Sequence, residues 1–249
     1  MPRGSGDTWA DDYERGRPGW PPEVVDIAGI PHEATVLDLG AGTGKLTRLL
    51  AATFDRVVAI EPSSAMRAIL AETSPEAELV EGTAQAMPLG DESVDALFAA
   101  EAFHWFDDEQ ALNELVRVLR PAGFLVLMWN LPAGPTEPSA AAAEAFLNER
   151  APRGVRYDPL DLDGPQYTSG EWRLGLAARF EPLREVTVPN TQTLDRDGLV
   201  AFYASMGWIA DLADEDRLPL LETVRSLLPD EAYRRSWEAH VHWAPLAPR

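Results

Sequence analysis

No cysteine occurs among the 249 residues. Disulfides are thereby excluded, and so are thiolate metal sites and a cysteine nucleophile. Lysine is almost missing as well: Lys45 stands alone beside twenty arginines. Positive charge is scarce overall, with 21 Lys and Arg against 41 Asp and Glu and a formal net charge of −20. Such a surface repels phosphate backbones, and no Lys/Arg stripe runs along the chain to overcome that. Nucleic acid is therefore not an expected partner. Long apolar runs are missing too. The longest, residues 124–129, has the length of a buried strand and falls far short of the ~18 residues that suggest a membrane span. The first seven residues are polar and lack the apolar core of a secretory signal. These absences lead to the expectation of a cytoplasmic protein with no membrane partner.

What is present is an ordinary apolar fraction of 45%, enough for a full core without staples. Residues 1–34 read as a polar, proline-rich and irregular segment with a short helix over 22–28. Residues 35–130 alternate strand and helix. Strands are predicted at 35–39, 56–60, 78–81, 94–100 and 123–129, with helices at 45–52, 63–72 and 108–119. The strands are short and apolar on both faces, the pattern of a parallel sheet covered on both sides. Ser63 and Asp107 are the predicted caps of the second and third helices, and Arg120-Pro121 stops the third. After Trp129 the alternation breaks. Residues 131–182 read as an inserted cap, with a helix at 139–150 and a long loop at 151–170. Residues 183–249 return to the sheet, with a strand at 184–188, helices at 195–205 and 215–228, and a strand at 237–243. In that last strand Trp237, Ala239, Val241 and Trp243 are expected to face inward, and Glu238, His240 and His242 outward.

The central signal is Asp38-Leu39-Gly40-Ala41-Gly42-Thr43-Gly44, between a predicted strand and a predicted helix. Glycine lets the backbone turn sharply and lets a ligand approach where a Cβ would clash. A Walker loop needs Lys followed by Ser or Thr after its last glycine, and here Leu46 follows Lys45. A dinucleotide loop needs a third glycine where Lys45 stands. What remains is an acid two positions before a G-x-G-x-G run. A carboxylate there repels a pyrophosphate and suits a ligand with a cationic end, such as a sulfonium or ammonium group. That preference points to S-adenosylmethionine as cofactor. Glu61, at the end of the second strand, can accept hydrogen bonds from both ribose hydroxyls. Thr83, Ala84 and Gln85 follow the third strand, where an adenine edge would lie.

These residues resemble a class I S-adenosylmethionine-dependent methyltransferase of the type 11 small-molecule group. The resemblance is carried by residues 36–44, Ile60-Glu61-Pro62, Gly82-Thr83-Ala84 and Leu119-Arg120-Pro121-Ala122-Gly123. Tyr13-Glu14-Arg15-Gly16-Arg17-Pro18 and Glu101-Ala102-Phe103-His104-Trp105-Phe106 are similar to the trans-aconitate methyltransferase-like branch. The resemblance implies a Rossmann-like α/β fold, a seven-stranded, mostly parallel sheet in order 3-2-1-4-5-7-6. Its seventh strand, 237–243, would be antiparallel. It also implies that Gly40, Ala41, Gly42 and Gly44 approach the methionine part of the cofactor. Glu61 would hold the ribose, with Pro62 and Met66 beside it, and Tyr13 and Arg17 would lie over the cofactor. Many relatives carry an acid where this chain has Thr83, so adenine contact would rest on backbone groups.

Methyl transfer needs a base only when the acceptor must lose a proton. His104, after the fourth strand, is the base candidate, since its reference pKa suits proton removal near neutrality. Glu101 is the second catalytic candidate and could instead orient cofactor or acceptor. Eight tryptophans are many for this length. Trp20, Trp105, Trp129 and Trp208, with His104, are the candidate acceptor contacts. Arg153, Arg156 or Arg173 facing the site would favour a carboxylate acceptor. His240 and His242 have no third ligand nearby, so no metal site is expected. The resulting expectation is methyl transfer to a small molecule, to the oxygen of a carboxylate or hydroxyl, by a monomer or homodimer. The alternative is a repurposed fold catalysing a non-methylating reaction such as a cyclisation.

Overall fold

The computed structural model describes residues 7–133, 137–152 and 172–248. Seven strands form one sheet among them: β1 (Thr35–Leu39), β2 (Arg56–Ile60), β3 (Glu78–Val80), β4 (Val94–Ala100), β5 (Leu119–Pro132), β6 (Arg184–Leu194) and β7 (Tyr233–Pro245), in the order 3-2-1-4-5-7-6. The pairings β1·β2, β1·β4, β2·β3 and β4·β5 are parallel. β7 is antiparallel to β5: Leu246 N donates to Gly123 O and Ala133 N to Ser236 O, so numbers rise on one strand as they fall on the other. β1, β2 and β4 are buried along almost their whole length, as runs of Val, Leu, Ile, Phe and Ala require when both faces are covered.

The chain divides into two compact units. The first, the sheet unit, draws on 19–130, 169–190 and 238–249. Its helices are α2 (Thr47–Thr53), α3 (Ser64–Thr73), α4 (Glu109–Val118) and α6 (Trp172–Ala177). Its main core gathers Val36, Leu50, Phe54, Val57, Phe98, Val126, Met128 and Val241. Each such side chain, once buried, contributes roughly 1.5–3 kcal/mol. The second, the helical unit, draws on 1–18, 131–168 and 191–237. It contains α1 (Asp7–Gly16), α5 (Ala141–Asn148), α7 (Arg196–Ala204), α8 (Gly207–Ala210) and α9 (Asp214–Leu227) around Leu147, Leu199, Phe202, Tyr203, Ile209 and Trp237. α1 lies against α7 so closely that a Cβ on Gly16 would strike the backbone of Ala201 and Phe202.

Several sequence expectations change. The first 34 residues are not irregular throughout, since α1 occupies ten of them. The predicted helix at 22–28 is a single 3-10 turn, Pro22–Val25. Ser63 caps α3, its Oγ accepting from Met66 N at 3.4 Å. The cap of α4 is Asp108, not Asp107: Asp108 Oδ1 accepts from Ala111 N at 2.9 Å. β6 runs on to Leu194, six residues beyond its predicted end. α6 and α8 were not expected at all. His242 does not face outward. It is 8% exposed, with its ring 5.7 Å from Trp129 and 5.5 Å from Trp172. The reason is α6, which covers that face of β7 with Trp172. The predicted loop at 151–170, apart from its first two residues, and with it Arg153 and Arg156, lies outside the described residues.

Candidate active site

Strand β1 ends at Leu39 and the chain turns at once, with positive φ at Gly40 (72°), Gly42 (58°) and Gly44 (90°). The turn is fastened to the end of β2, where Gly40 N and Ala41 N both donate to Ile60 O at 2.8 and 3.1 Å. The three glycines have different reasons. A Cβ at Gly40 would come within 2.8 Å of Ala102 Cβ, at the end of β4. One at Gly44 would come within 2.8 Å of Leu70 Cδ1 and 2.9 Å of Ser74 Oγ. Those two are demanded by packing. Gly42 is different, since a Cβ there would meet nothing within 4 Å. Its bare backbone leaves an open approach, and it is the one glycine of the three whose surroundings suit a ligand.

Two buried carboxylates stand beside this turn. Asp38 is 1% exposed and its Oδ2 accepts from Thr47 Oγ1 at 2.6 Å. Burial pushes its carboxyl from 3.8 up to about 7; the Thr47 hydroxyl opposes this and the nearby Glu61 charge adds to it. Asp38 is therefore not the freely ionised group expected from the sequence. It sits beneath the turn, with its carboxyl raised to about 7 by burial. Glu61 is 2% exposed. Its Oε2 accepts from Gly42 N at 2.9 Å and its Oε1 from Ser63 N at 2.8 Å. Burial raises its pKa also, against the pull of those two N–H groups and of Arg67. Each carboxylate oxygen keeps a second lone pair, the number a ribose diol needs. Pro62 is half-buried and its carbonyl accepts from Arg67 Nη1 at 2.7 Å, while Met66 is buried within α3.

The turn after β3 holds Thr83, exposed, and Ala84, 5% exposed, with an antiparallel bridge from Thr83 to Ala86. Gln85 does not offer its amide to a ligand here: Gln85 Nε2 donates to Asp108 Oδ2 at 2.7 Å. At the end of β4, Glu101 adopts φ 54°, a left-handed conformation that strains a residue with a Cβ. Its Oε1 accepts from Asn130 N at 2.7 Å, which ties the ends of β4 and β5 together. Asn130, unnoticed in the sequence, is 1% exposed; its Nδ2 donates to Gly19 O at 3.2 Å and its Oδ1 accepts from Asn190 Nδ2 at 2.9 Å.

His104 is half-buried, its ring 4.9 Å from that of Trp105, which is 53% exposed. Trp20 lies in the apolar core of the sheet unit, so packing accounts for it without an acceptor. Trp129 is likewise buried, against Trp172 and His242. Trp208 sits at the edge of the core of the helical unit. Tyr13 and Arg17 belong to that unit as well. Arg17 Nε donates to Ser205 Oγ at 2.8 Å and its guanidinium lies 5.6 Å from the Tyr13 ring centre. Arg173 pairs with Glu185 at 3.1 Å rather than standing ready for a carboxylate. Among the described residues no group of three His, Cys, Asp or Glu could hold a metal. Thr47 and Asn130 are the polar groups the sequence reading missed. A hydroxyl nine residues after Asp38, in the first turn of α2, was the available signal for Thr47. Asn130 carried none, since its role depends on the pairing of β4 with β5.

Known proteins are similar to this chain. Residues 37–127 match the family described as a methyltransferase domain. Over 212 residues the chain is 33% identical to an uncharacterized methyltransferase-like protein of Schizosaccharomyces pombe, covering 83% of this chain and 78% of that one. The chain belongs to the class I S-adenosylmethionine-dependent methyltransferases. An uncharacterized methyltransferase of Mycobacterium tuberculosis is 48% identical over 118 residues, which are 47% of this chain and 49% of the relative. The match thus spans about half the length of that relative. In fold the chain is similar to a structure described as a type II methyltransferase from Anaeromyxobacter dehalogenans, with TM-score 0.67 and 22% identity over 94% of this chain and 99% of that one.

Proposed function

We propose that the chain transfers the methyl group of S-adenosylmethionine to an oxygen of a small-molecule acceptor, a carboxylate or a hydroxyl. The observation that carries this reading is the pair of buried carboxylates at the bare turn: Asp38 beneath it, and Glu61 bonded to the N–H of Gly42. Two acids packed beside one turn, both raised by burial, disfavour a diphosphate there and are relieved by a cation. The residues fit the family cofactor. Gly42 would let the methionine end approach, Glu61 would take the ribose hydroxyls, and backbone groups of Thr83 and Ala84 would meet the adenine. When bound, the sulfonium supplies an activated methyl group for in-line displacement.

The protein's own work is to hold the acceptor atom roughly 3 Å from that methyl and to exclude water. Glu101 lies at the end of β4, held by the N–H of Asn130, and is proposed to orient the acceptor. His104 is proposed to take the proton of a hydroxyl acceptor, while a carboxylate acceptor would need no base. Trp105, exposed beside His104, is the proposed apolar contact for the acceptor. The trans-aconitate methyltransferase-like branch is a proposal resting on residues 13–18 and 101–106.

The test is incubation with S-adenosylmethionine and a panel of hydroxyl and carboxylate acceptors, following S-adenosylhomocysteine. The proposal expects acceptor-dependent product that falls in Glu61→Ala. Consumption of cofactor with no methylated product would refute methyl transfer, and methylation confined to amines would refute the oxygen assignment.

A further inference from the structure

In the reading above the turn at 82–86 meets the adenine through backbone groups, so what fixes that backbone bears on the base. The holder is visible in α4. Glu114 and Arg117 lie three residues apart on that helix and form a paired fork: Arg117 Nε to Glu114 Oε1 at 2.6 Å and Arg117 Nη2 to Glu114 Oε2 at 2.8 Å. The fork then treats Met87 as a neighbouring strand would. Met87 N donates to Glu114 Oε2 at 2.9 Å, and Met87 O accepts from Arg117 Nη2 at 2.9 Å. Arg117 Nη1 reaches further along the same loop, to Leu89 O at 2.7 Å and Asp91 Oδ1 at 2.8 Å. The guanidinium is thus shared between Glu114 on its own helix, through Nε and Nη2, and the 87–91 loop, through Nη1 and Nη2. The ion pair also draws the Glu114 carboxyl below its usual range.

The hold on Met87 is passed on through Pro88. A Cβ on Gly82 would lie 2.8 Å from Pro88 Cδ and 3.4 Å from Ile60 Cγ2. Gly82 is therefore wedged between the proline and the end of β2, one residue before Glu61. At the other end of α4, Gln85 is tied twice: Gln85 Nε2 to Asp108 Oδ2 at 2.7 Å, and Gln110 Nε2 to Gln85 O at 3.0 Å. The two ends of α4 thus suspend the turn between them.

We infer that Arg117, through Glu114 and Met87, is a positioning residue for the adenine of the cofactor, setting base selectivity from α4. The inference rests on the reading above that residues 82–86 face the adenine. A lysine keeps the charge but cannot make the fork. Calorimetric titration of the full chain with S-adenosylhomocysteine and with S-inosylhomocysteine, whose base carries oxygen in place of the amino group, provides the test. In Arg117→Lys the adenine compound is expected to bind about tenfold more weakly, the upper end for one neutral hydrogen bond. The inosine compound should change far less, so that the preference between the two shrinks. Glu114→Gln should repeat the pattern more mildly. Arg120 bonds Asp95 Oδ2 and Glu92 O and not residues 82–89, so Arg120→Lys should leave both affinities unchanged. Amide exchange at Met87 should quicken in Arg117→Lys. Unchanged selectivity in Arg117→Lys, or equal weakening of both compounds, overturns the inference while leaving the methyltransferase reading intact. A wild-type chain that binds neither compound overturns that reading, and the inference with it.

Discussion

Replacing Asp38 with asparagine should make the protein more stable and a poorer binder at once. Asp38 is fully buried, with its carboxyl raised from 3.8 to about 7. At ~1.36 kcal/mol per pH unit this corresponds to about 4 kcal/mol between neutral and ionised forms, as an order of magnitude. Because the folded value is the higher one, the folded chain holds a proton that the unfolded chain gives up. The stabilisation is complete below pH ~4 and is lost as the pH rises through about 7. His242 works in the opposite direction. Burial, with Arg173 nearby, lowers it from 6.5 to about 4, so its contribution is complete above pH ~6.5 and is lost as the pH falls. That contribution is about 3 kcal/mol on the same scale. In the wild type the two slopes oppose each other between pH ~4 and ~6.5. Asp38→Asn should expose the His242 slope, with stability rising with pH. His242→Gln should expose the Asp38 slope, with stability falling. Urea unfolding of the three proteins at half-unit steps from pH 4 to 8 reads this directly. Three parallel curves would refute the reasoning.

Other outcomes follow from the same geometry. Binding of a sulfonium beside Asp38 should lower its pKa, so S-adenosylmethionine should release protons on binding near pH 6.5, seen by calorimetry in buffers of different ionisation heat. Glu61→Ala should weaken cofactor binding by about 1–3 kcal/mol through its lost hydrogen bonds. Glu101→Gly should be more stable than Glu101→Ala by roughly 1 kcal/mol, because both lose the carboxylate and only glycine relieves the positive φ; denaturant melts compare them. Gly16→Ala should cost about 2 kcal/mol or more, since α1 cannot keep its contact with α7.

Much of the sheet could be read in advance. Residues 94–100 were predicted as a strand with both ends correct, because an apolar run of that length bounded by polar turns has one comfortable place, between two parallel neighbours. Ser63 as a cap was legible because its bond is local. α1 was not legible: Asp-Thr-Trp-Ala-Asp-Asp-Tyr-Glu-Arg-Gly has few apolar positions, and the helix depends on its contact with α7. Asp108, the cap in place of the adjacent Asp107, also receives the amide of Gln85, twenty-three residues away, a contact no local pattern announces. The burial of His242 depends on α6, whose docking no periodicity in β7 could announce.

At the site, the glycine turn, Asp38 and Glu61 were visible as types and spacings, while the sharing of duties was not. The sequence treated the three glycines alike. The fold makes Gly40 and Gly44 a matter of packing and leaves Gly42 open. It presented Asp38 as an ordinary anion, whereas burial brings its pKa near neutrality.

The account turns on what the Gly40–Gly44 bend accepts. Equilibrium titration of the wild type at pH 7.5 with S-adenosylmethionine and, separately, with NAD decides it. The account predicts saturable binding of the first, weakened in Glu61→Ala, and none of the second; binding of NAD, or of neither, would contradict it.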